Sequence, residues 1–154
     1  RELIDSTHPD YIVGSVHHVG GIGIDVDREL YEEAKAKAGS LEHLYCQYFD
    51  LQYAMLQELK PSVVGHFDLI RIFDDDYLDT LELPSVWSRI ERNLGYIAEQ
   101  GFIIDFNLRG FEDACTDPLL PLHPQPLHSV PVARDCLCER LADQIIASGR
   151  VWRS

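Results

Sequence analysis

The pattern of hydrophobic and polar positions divides the chain into short apolar runs and longer amphipathic segments. Residues 11–16 (YIVGSV) and 62–73 (SVVGHFDLIRIF) are apolar runs with many β-branched residues, and residues 101–110 (GFIIDFNLRG) repeat the pattern. Runs of this length and composition are typical of strands that are covered on both faces. We therefore predict three strands, each of which ends in polar residues.

Between these runs, apolar residues recur at helical spacing. Residues 27–39 begin with an acidic turn and end with lysines and Gly39, which predicts one helix. Ser40 can cap a second, longer helix, and Pro61 ends it. The apolar stripe of this second helix comprises Leu41, Leu44, Tyr45, Tyr48, Leu51, Met55 and Leu59. A third helix is predicted over residues 84–101, and its stripe comprises Trp87, Ile90, Leu94 and Ile97.

The order of these elements predicts the fold class. It is strand, helix, helix, strand, helix, strand, and such alternation indicates an α/β fold with parallel strands. Residues 74–80 (DDDYLDT) separate the second strand from the third helix, and we predict an acidic loop there. In α/β folds, ligands bind at the carboxyl ends of the strands, so the polar strand ends are the candidate site.

The chain changes character at Asp113. Residues 116–135 contain five of the eight prolines and show no clear period, which predicts an extended or disordered linker. Residues 136–152 can form one short amphipathic helix. We therefore predict two parts, an α/β part over residues 1–112 and a divergent proline-rich tail over residues 113–154.

Composition and charge exclude some classes of partner. The chain has 154 residues, 45% of them hydrophobic, which suits one domain with one core. The net charge of -13 argues against nucleic acid or an anionic membrane as the main partner. A small phosphate ester is compatible with it, because a metal cluster or one arginine can outweigh the global field. The charge leaves the oligomeric state open.

Targeting signals and cysteine content bear on the cellular location of the protein. We find no apolar run of the ~18 residues that a membrane helix needs and no signal segment, so we predict a soluble, cytoplasmic protein. Four cysteines do not form a disulfide framework at this length, and Cys46 is predicted to be a small buried residue of the second helix. The chain opens without an initiating methionine, which suggests a fragment.

Polar residues at the three predicted strand ends carry the candidate chemistry. They are His17 and His18, His66 and Asp68, and Asp105 and Asn107. Imidazole nitrogen and carboxylate oxygen are ligands that divalent Zn, Mn or Fe accept. Neighbours on an extended backbone point to opposite sides, so one of the two adjacent histidines should face the site. The alternative is that these side chains only cap backbone groups, and the pattern leaves both interpretations open.

Two stretches, GSVHH at residues 14–18 and VVGHFDLIR at residues 63–71, resemble the fungal-type histidinol-phosphatases of the PHP (polymerase and histidinol phosphatase) family. The resemblance extends from about residue 10 to about residue 110. It implies a partial, distorted (β/α) barrel of PHP type with a multinuclear centre of divalent metal ions. It also implies hydrolysis of histidinol phosphate to histidinol and phosphate, a step of histidine biosynthesis, with this small phosphorylated molecule as the partner.

The resemblance also implies roles for individual residues. His17 matches the metal-binding histidine of the family's GSVH motif, and His66 matches the histidine of its GH-x-D motif. Asp105 stands where relatives carry an acidic metal ligand, usually the longer glutamate, and Asn107 stands at a position expected to face the substrate. His18 is then a neighbour that can face the substrate.

Two further residues are candidates for catalysis. Asp68 lies two positions after His66 and can orient a ligand imidazole. Arg71 can contact the phosphate, since its planar guanidinium suits phosphate oxygens. An ion pair between Arg71 and the acidic residues 74–76 is an equally good interpretation.

The sequence departs from the family pattern in its metal motifs. Relatives also use an H-x-H pair and a D-x-H pair, and this chain contains neither at any position. The alternative function is therefore an inactive, truncated PHP remnant with at most weak metal or partner binding.

Three rival sites have weaker support. The tail offers a loose zinc set, namely His123, His128, Cys136 and Cys138. No cysteine has a motif that supports Cys–His catalysis. The glycine loop at residues 20–23 (GGIG) lacks the spacing of a dinucleotide or P-loop fingerprint.

Overall fold

The structure, a computed structural model, describes residues 2–105. The predicted tail, with its helix and its four candidate zinc ligands, lies outside these residues. The described part alternates strands and helices, as the α/β prediction requires. Its strands are β1 (Val13–Gly14), β2 (His18–Val19), β3 (Ile22–Gly23), β4 (Val63–Val64) and β5 (Ile103–Ile104). Its helices are α1 (Glu2–Thr7), α2 (Arg28–Ala38), α3 (Leu41–Leu59), α4 (Tyr77–Glu82) and α5 (Pro84–Gln100).

The three predicted strands form one parallel sheet in the order β1-β4-β5. Val13, Val63 and Ile103 stand side by side in register, and Gly14, Val64 and Ile104 form the next row. The parallel arrangement brings the carboxyl ends of all three strands to one edge of the sheet. This confirms the topology that makes the polar strand ends neighbours.

The prediction that the strands are covered on both faces is wrong for the described residues. Val64 is fully buried, whereas Val13 is 54% exposed and Ile103 is 65% exposed on the opposite face. The buried face packs against α3, so closely at Gly14 that an added Cβ would lie 2.5 Å from Met55 Sδ. Glycine at this position therefore allows the helix to approach the sheet.

Residues 62–73 do not form a single strand, which corrects the prediction. The strand β4 ends at Val64, and Leu69–Arg71 form a single 3-10 turn. Leu69 and Ile70 are buried within this turn and Phe67 is buried just before it, so their apolar character reflects burial and not a strand. The predicted loop over residues 74–80 is also wrong in part, because α4 begins at Tyr77.

The helix boundaries follow the predicted caps. The Asp27 side chain accepts a hydrogen bond from Leu30 N at the start of α2, and Gly39 ends that helix. Ser40 accepts from His43 N at the start of α3. None of the helices over residues 2–105 is both long enough and apolar enough to cross a membrane.

The predicted stripe of α3 faces the core in part, and the buried face also includes Phe49 and Leu56, which the prediction omitted. Leu44, Tyr45 and Tyr48 are fully buried, but Leu51 is 43% exposed and Gln52 takes the inner position. Gln52 lies four positions after Tyr48, so the helical period places it on the same face. Cys46 is buried, as predicted. The stripe of α5 is buried at Ile90, Leu94 and Ile97, and α5 packs against α3.

Three buried tyrosines predict how the fold responds to alkali. Burial raises the pKa of the phenols of Tyr31, Tyr45 and Tyr48 above the ordinary value. Above about pH 10 the unfolded chain therefore loses phenolic protons that the folded chain keeps. We expect the free energy of unfolding to fall by about 1.4 kcal/mol per pH unit for each of these tyrosines. Alkaline titration followed by circular dichroism and by phenolate absorbance checks this, and full ionisation before loss of helix would contradict it.

Candidate metal centre

The first strand end continues into a β-hairpin that the sequence analysis did not predict. Strands β2 and β3 pair in antiparallel register, with Val19 opposite Ile22. The two-residue turn is Gly20-Gly21, and both glycines have positive φ (60° and 83°). This is the geometry that favours glycine in tight hairpins. The hairpin folds the chain back on itself, so residues after the turn lie beside residues before it.

The hairpin places Asp25 against His17. Ile24 N donates to His17 O at 3.0 Å, which holds the two segments together. The Asp25 carboxylate oxygen Oδ2 lies 2.8 Å from His17 Nδ1. His17 is half-buried, with 41% of its side chain exposed. An imidazole held by a carboxylate at Nδ1 presents Nε2 as its ligating nitrogen.

The second histidine, His66, follows β4 in an unusual backbone conformation. Its φ is 48°, the left-handed region that non-glycine residues avoid at a cost of roughly 1–2 kcal/mol. The Tyr48 hydroxyl lies 3.0 Å from His66 O and 3.2 Å from Phe67 O, to which it can donate from the buried side. Strained residues persist where the surroundings fix them, and they occur often at functional sites.

A buried polar chain between α3 and α5 supports the same loop. Gln52 Nε2 donates to Phe67 O at 3.0 Å, and Gln52 Oε1 accepts from Asn93 Nδ2 at 3.1 Å. Asn93 Nδ2 also lies 2.8 Å from Phe49 O. Because these amides are buried, each needs its partner, and the chain of contacts fixes the loop on the helices.

The two histidines meet at the edge of the sheet. The Ser15 hydroxyl donates to Gly65 O at 3.1 Å, and this bond ties the end of β1 to the end of β4. The ring centroids of His17 and His66 are 5.8 Å apart, with the rings nearly perpendicular. Asp105 follows β5, and its Oδ2 lies 3.8 Å from His66 Nδ1. His66 therefore lies near both of the other predicted ligands, His17 and Asp105.

The remaining candidates lie around this group in different ways. His18 is exposed on β2, whereas His17 is half-buried. Asp68 is buried and accepts from Arg71 Nε at 2.5 Å, so its observed partner is this arginine and not a histidine. The Arg71 guanidinium also stacks over Tyr77 at 5.2 Å. Asn107 lies outside the described residues.

The donor set fits a divalent cation in chemistry but is incomplete over residues 2–105. His66 Nδ1 is buried and has no hydrogen-bond partner among the described residues, as expected of a nitrogen that binds a metal ion. Its 3.8 Å separation from Asp105 is longer than a hydrogen bond. However, no group of three or more His, Cys, Asp or Glu side chains within the described part converges on one point.

Asp25 is the site residue that the sequence analysis missed. It lies eight positions after His17, too far for a contact along an extended strand. The available signal was the Gly-Gly pair at residues 20 and 21, which marks a two-residue hairpin turn. A hairpin with its turn at this pair brings Asp25 beside His17.

Comparison with known proteins shows which family the chain resembles. Residues 2–109 match the PHP domain. A probable histidinol-phosphatase of Schizosaccharomyces pombe is 43% identical over 107 residues, which are 66% of this chain and 34% of that protein. The histidinol-phosphatase of Saccharomyces cerevisiae is 34% identical over 130 residues, 70% of this chain and 39% of that protein.

A third relative, with lower identity, carries the same name. A probable histidinol-phosphatase of Deinococcus radiodurans is 28% identical over 117 residues, 76% of this chain and 40% of that protein. The chain thus spans between 34% and 40% of the length of these curated relatives. Since the family match covers most of the chain, including both histidine motifs, the chain belongs to the PHP domain family.

Proposed function

We propose that this chain is part of a metal-dependent histidinol-phosphatase, which hydrolyses histidinol phosphate to histidinol and phosphate in histidine biosynthesis. The observation that carries the proposal is the pair of histidine rings, 5.8 Å apart, at the carboxyl ends of two parallel strands. The relatives named histidinol-phosphatase support the substrate. The cytoplasmic location and the division at residue 112 stay predictions from the sequence.

The proposal includes the architecture around the described sheet. We propose that the three parallel strands belong to a distorted (β/α) barrel, with the site at its mouth. The apolar row of Val13, Val63 and Ile103, which is exposed at Val13 and Ile103, supports this, because the inner face of a barrel is filled by such side chains from neighbouring strands.

The roles of the ligands follow from their positions. His17, His66 and Asp105 would hold divalent ions of Zn, Mn or Fe type, which accept nitrogen and oxygen donors. A bound divalent cation supplies Lewis acidity toward water and toward phosphoryl oxygens. The short strands and the buried Gln52 support hold the ligands in place, which such a site requires.

The roles of the charged and polar neighbours are orientation and substrate contact. Arg71 would contact the phosphate through its planar guanidinium, whose Nε is directed at Asp68. Asp68 fixes the direction of that guanidinium, so its proposed catalytic role acts through Arg71. His18, exposed on the hairpin, and Asn107 would contact the substrate.

An inactive remnant is the second candidate. It is favoured by one observation, namely that the described residues do not bring three metal-ligating side chains to one point. Such a chain would bind at most a weak metal ion or a partner. The two candidates differ in whether phosphate is released.

A phosphate-release assay tests the proposal. The 154-residue chain is incubated with histidinol phosphate and with Mn or Zn ions, and a chain carrying both His17→Ala and His66→Ala is the control. We expect release that requires the metal and that falls to the rate of the double variant after chelation. Equal release by the two chains would favour the remnant.

A further inference from the structure

The geometry points to Asp25 as a positioning residue that fixes the orientation and the tautomer of His17. This inference rests on the proposed function in one respect only, that His17 is a metal ligand there. Asp25 acts through His17, so we do not count it among the ligands.

The contact itself defines which nitrogen is available. Asp25 Oδ2 lies 2.8 Å from His17 Nδ1, a normal hydrogen-bond distance. A carboxylate accepts only, so a neutral imidazole in this contact must carry its proton on Nδ1. Its Nε2 is then unprotonated and can donate its lone pair to a cation.

The backbone holds Asp25 firmly in this position. The residue before it, Ile24, is fully buried and donates its amide to His17 O at 3.0 Å. At the far end of the hairpin, Lys37 Nζ donates to Gly20 O at 2.8 Å and ties the turn to α2. The residue two positions on, Asp27, caps α2. The carboxylate is therefore fixed from both sides and is not a mobile surface group.

The other carboxylates near the two rings have different geometry. Asp105 Oδ2 is 3.8 Å from His66 Nδ1, beyond hydrogen-bond distance. Asp68 is engaged by Arg71 Nε. Asp25 thus performs for His17 the orienting task that the sequence analysis assigned to Asp68.

The first test measures the tautomer in the metal-free 154-residue chain. Long-range ¹H–¹⁵N NMR at about pH 8, above the ordinary imidazole pKa, distinguishes the two neutral tautomers. We expect His17 to carry its proton on Nδ1 in the unaltered chain. Asp25→Ala should populate the Nε2–H tautomer, and Asp25→Asn should keep the Nδ1–H form because its amide oxygen still accepts. An Nε2–H tautomer in the unaltered chain would overturn the inference, as would no change in Asp25→Ala.

The second test measures Zn affinity by competition with a chromophoric chelator. Loss of an orienting partner typically weakens metal binding by ~10–100-fold, and we expect this for Asp25→Ala. Asp27→Asn is the matched control, since it removes one charge from the same loop and keeps the α2 cap. Its affinity should fall much less than that of Asp25→Ala, because the interaction of an exposed charge with the ion is screened by salt.

The possible results distinguish a failure of this inference from a failure of the proposed function. If Asp25→Asn lost as much affinity as His17→Ala, Asp25 would be a ligand itself and the positioning role would be wrong. If Asp25→Ala matched Asp27→Asn in affinity, the role would also be wrong. A chain that releases no phosphate but shows the Nδ1–H tautomer, lost in Asp25→Ala, would refute the proposed function alone.

Discussion

Replacing His17 or His66 with alanine is expected to abolish tight binding of Zn or Mn and the phosphatase rate that depends on it. Each change removes one imidazole from the pair at the strand ends. Because loss of a mere orienting partner already costs ~10–100-fold, we expect loss of a ligand to cost at least about 100-fold in metal affinity. Competition with a chelator measures it on the 154-residue chain.

His43→Ala is the matched control for these variants. His43 is exposed in the first turn of α3, so its removal tests for unspecific binding by surface histidines. We expect its affinity to equal that of the unaltered chain. If all three variants bound metal equally well, the assignment of His17 and His66 would be wrong.

The change at His66 carries a second expectation, on stability. Alanine in place of His66 retains the strain of the positive φ, whereas glycine releases it. His66→Gly should therefore be at least as stable as His66→Ala while binding metal equally poorly. Thermal unfolding of both variants provides this comparison.

Phe49→Ala is expected to cause the largest loss of stability, about 3–5 kcal/mol. Phe49 is fully buried on α3, and its ring contacts those of Tyr48 and Phe67. Its carbonyl also accepts from Asn93 Nδ2. Truncation leaves a cavity at the junction of α3, α5 and the loop that carries His66. Urea unfolding followed by circular dichroism measures the loss.

Phe49→Leu is the control, since it keeps most of the apolar volume and should cost less than about 1.5 kcal/mol. Phe49 contacts Phe67, which is the residue directly after His66. Phe49→Ala should therefore also weaken metal binding, even where the variant remains folded. Equal unfolding midpoints for the alanine and leucine variants would show that this cluster does not hold the loop.

Local signals allowed α2, α3 and α5 to be predicted closely, whereas α1 and α4 were not predicted. Asp27 and Ser40 cap α2 and α3, and Gly39 ends α2, because capping depends on residues within one turn. The parallel sheet was also predictable, since alternating strands and helices allow few other arrangements. These features need no information from distant parts of the chain.

The loop after β4 could not be predicted in this way. Phe67, Leu69 and Ile70 form an apolar pattern that fits a buried strand as well as a buried turn. Contacts from α3 decide between a strand and a turn, because Tyr48 and Gln52 donate hydrogen bonds to the His66 and Phe67 carbonyls. Such long-range contacts leave no trace in the local pattern.

The candidate site was predictable in its residues but not in its pairings. His17, His66 and Asp105 were identified from their places at strand ends, and the structure places His66 near each of the other two. The partner of His17 depends on the Gly-Gly hairpin, so Asp25 was missed and Asp68 was given its task. The pairing of Asp68 with Arg71 follows from the 3-10 turn, which the strand prediction obscured.

Anomalous X-ray diffraction from crystals of the chain grown with Zn tests the central claim most directly. The account predicts anomalous density about 2.0–2.1 Å from Nε2 of His17, and density at the same distance from a ring nitrogen of His66, from one ion or two. Zn density found only at other residues, with both rings free of it, would contradict the account.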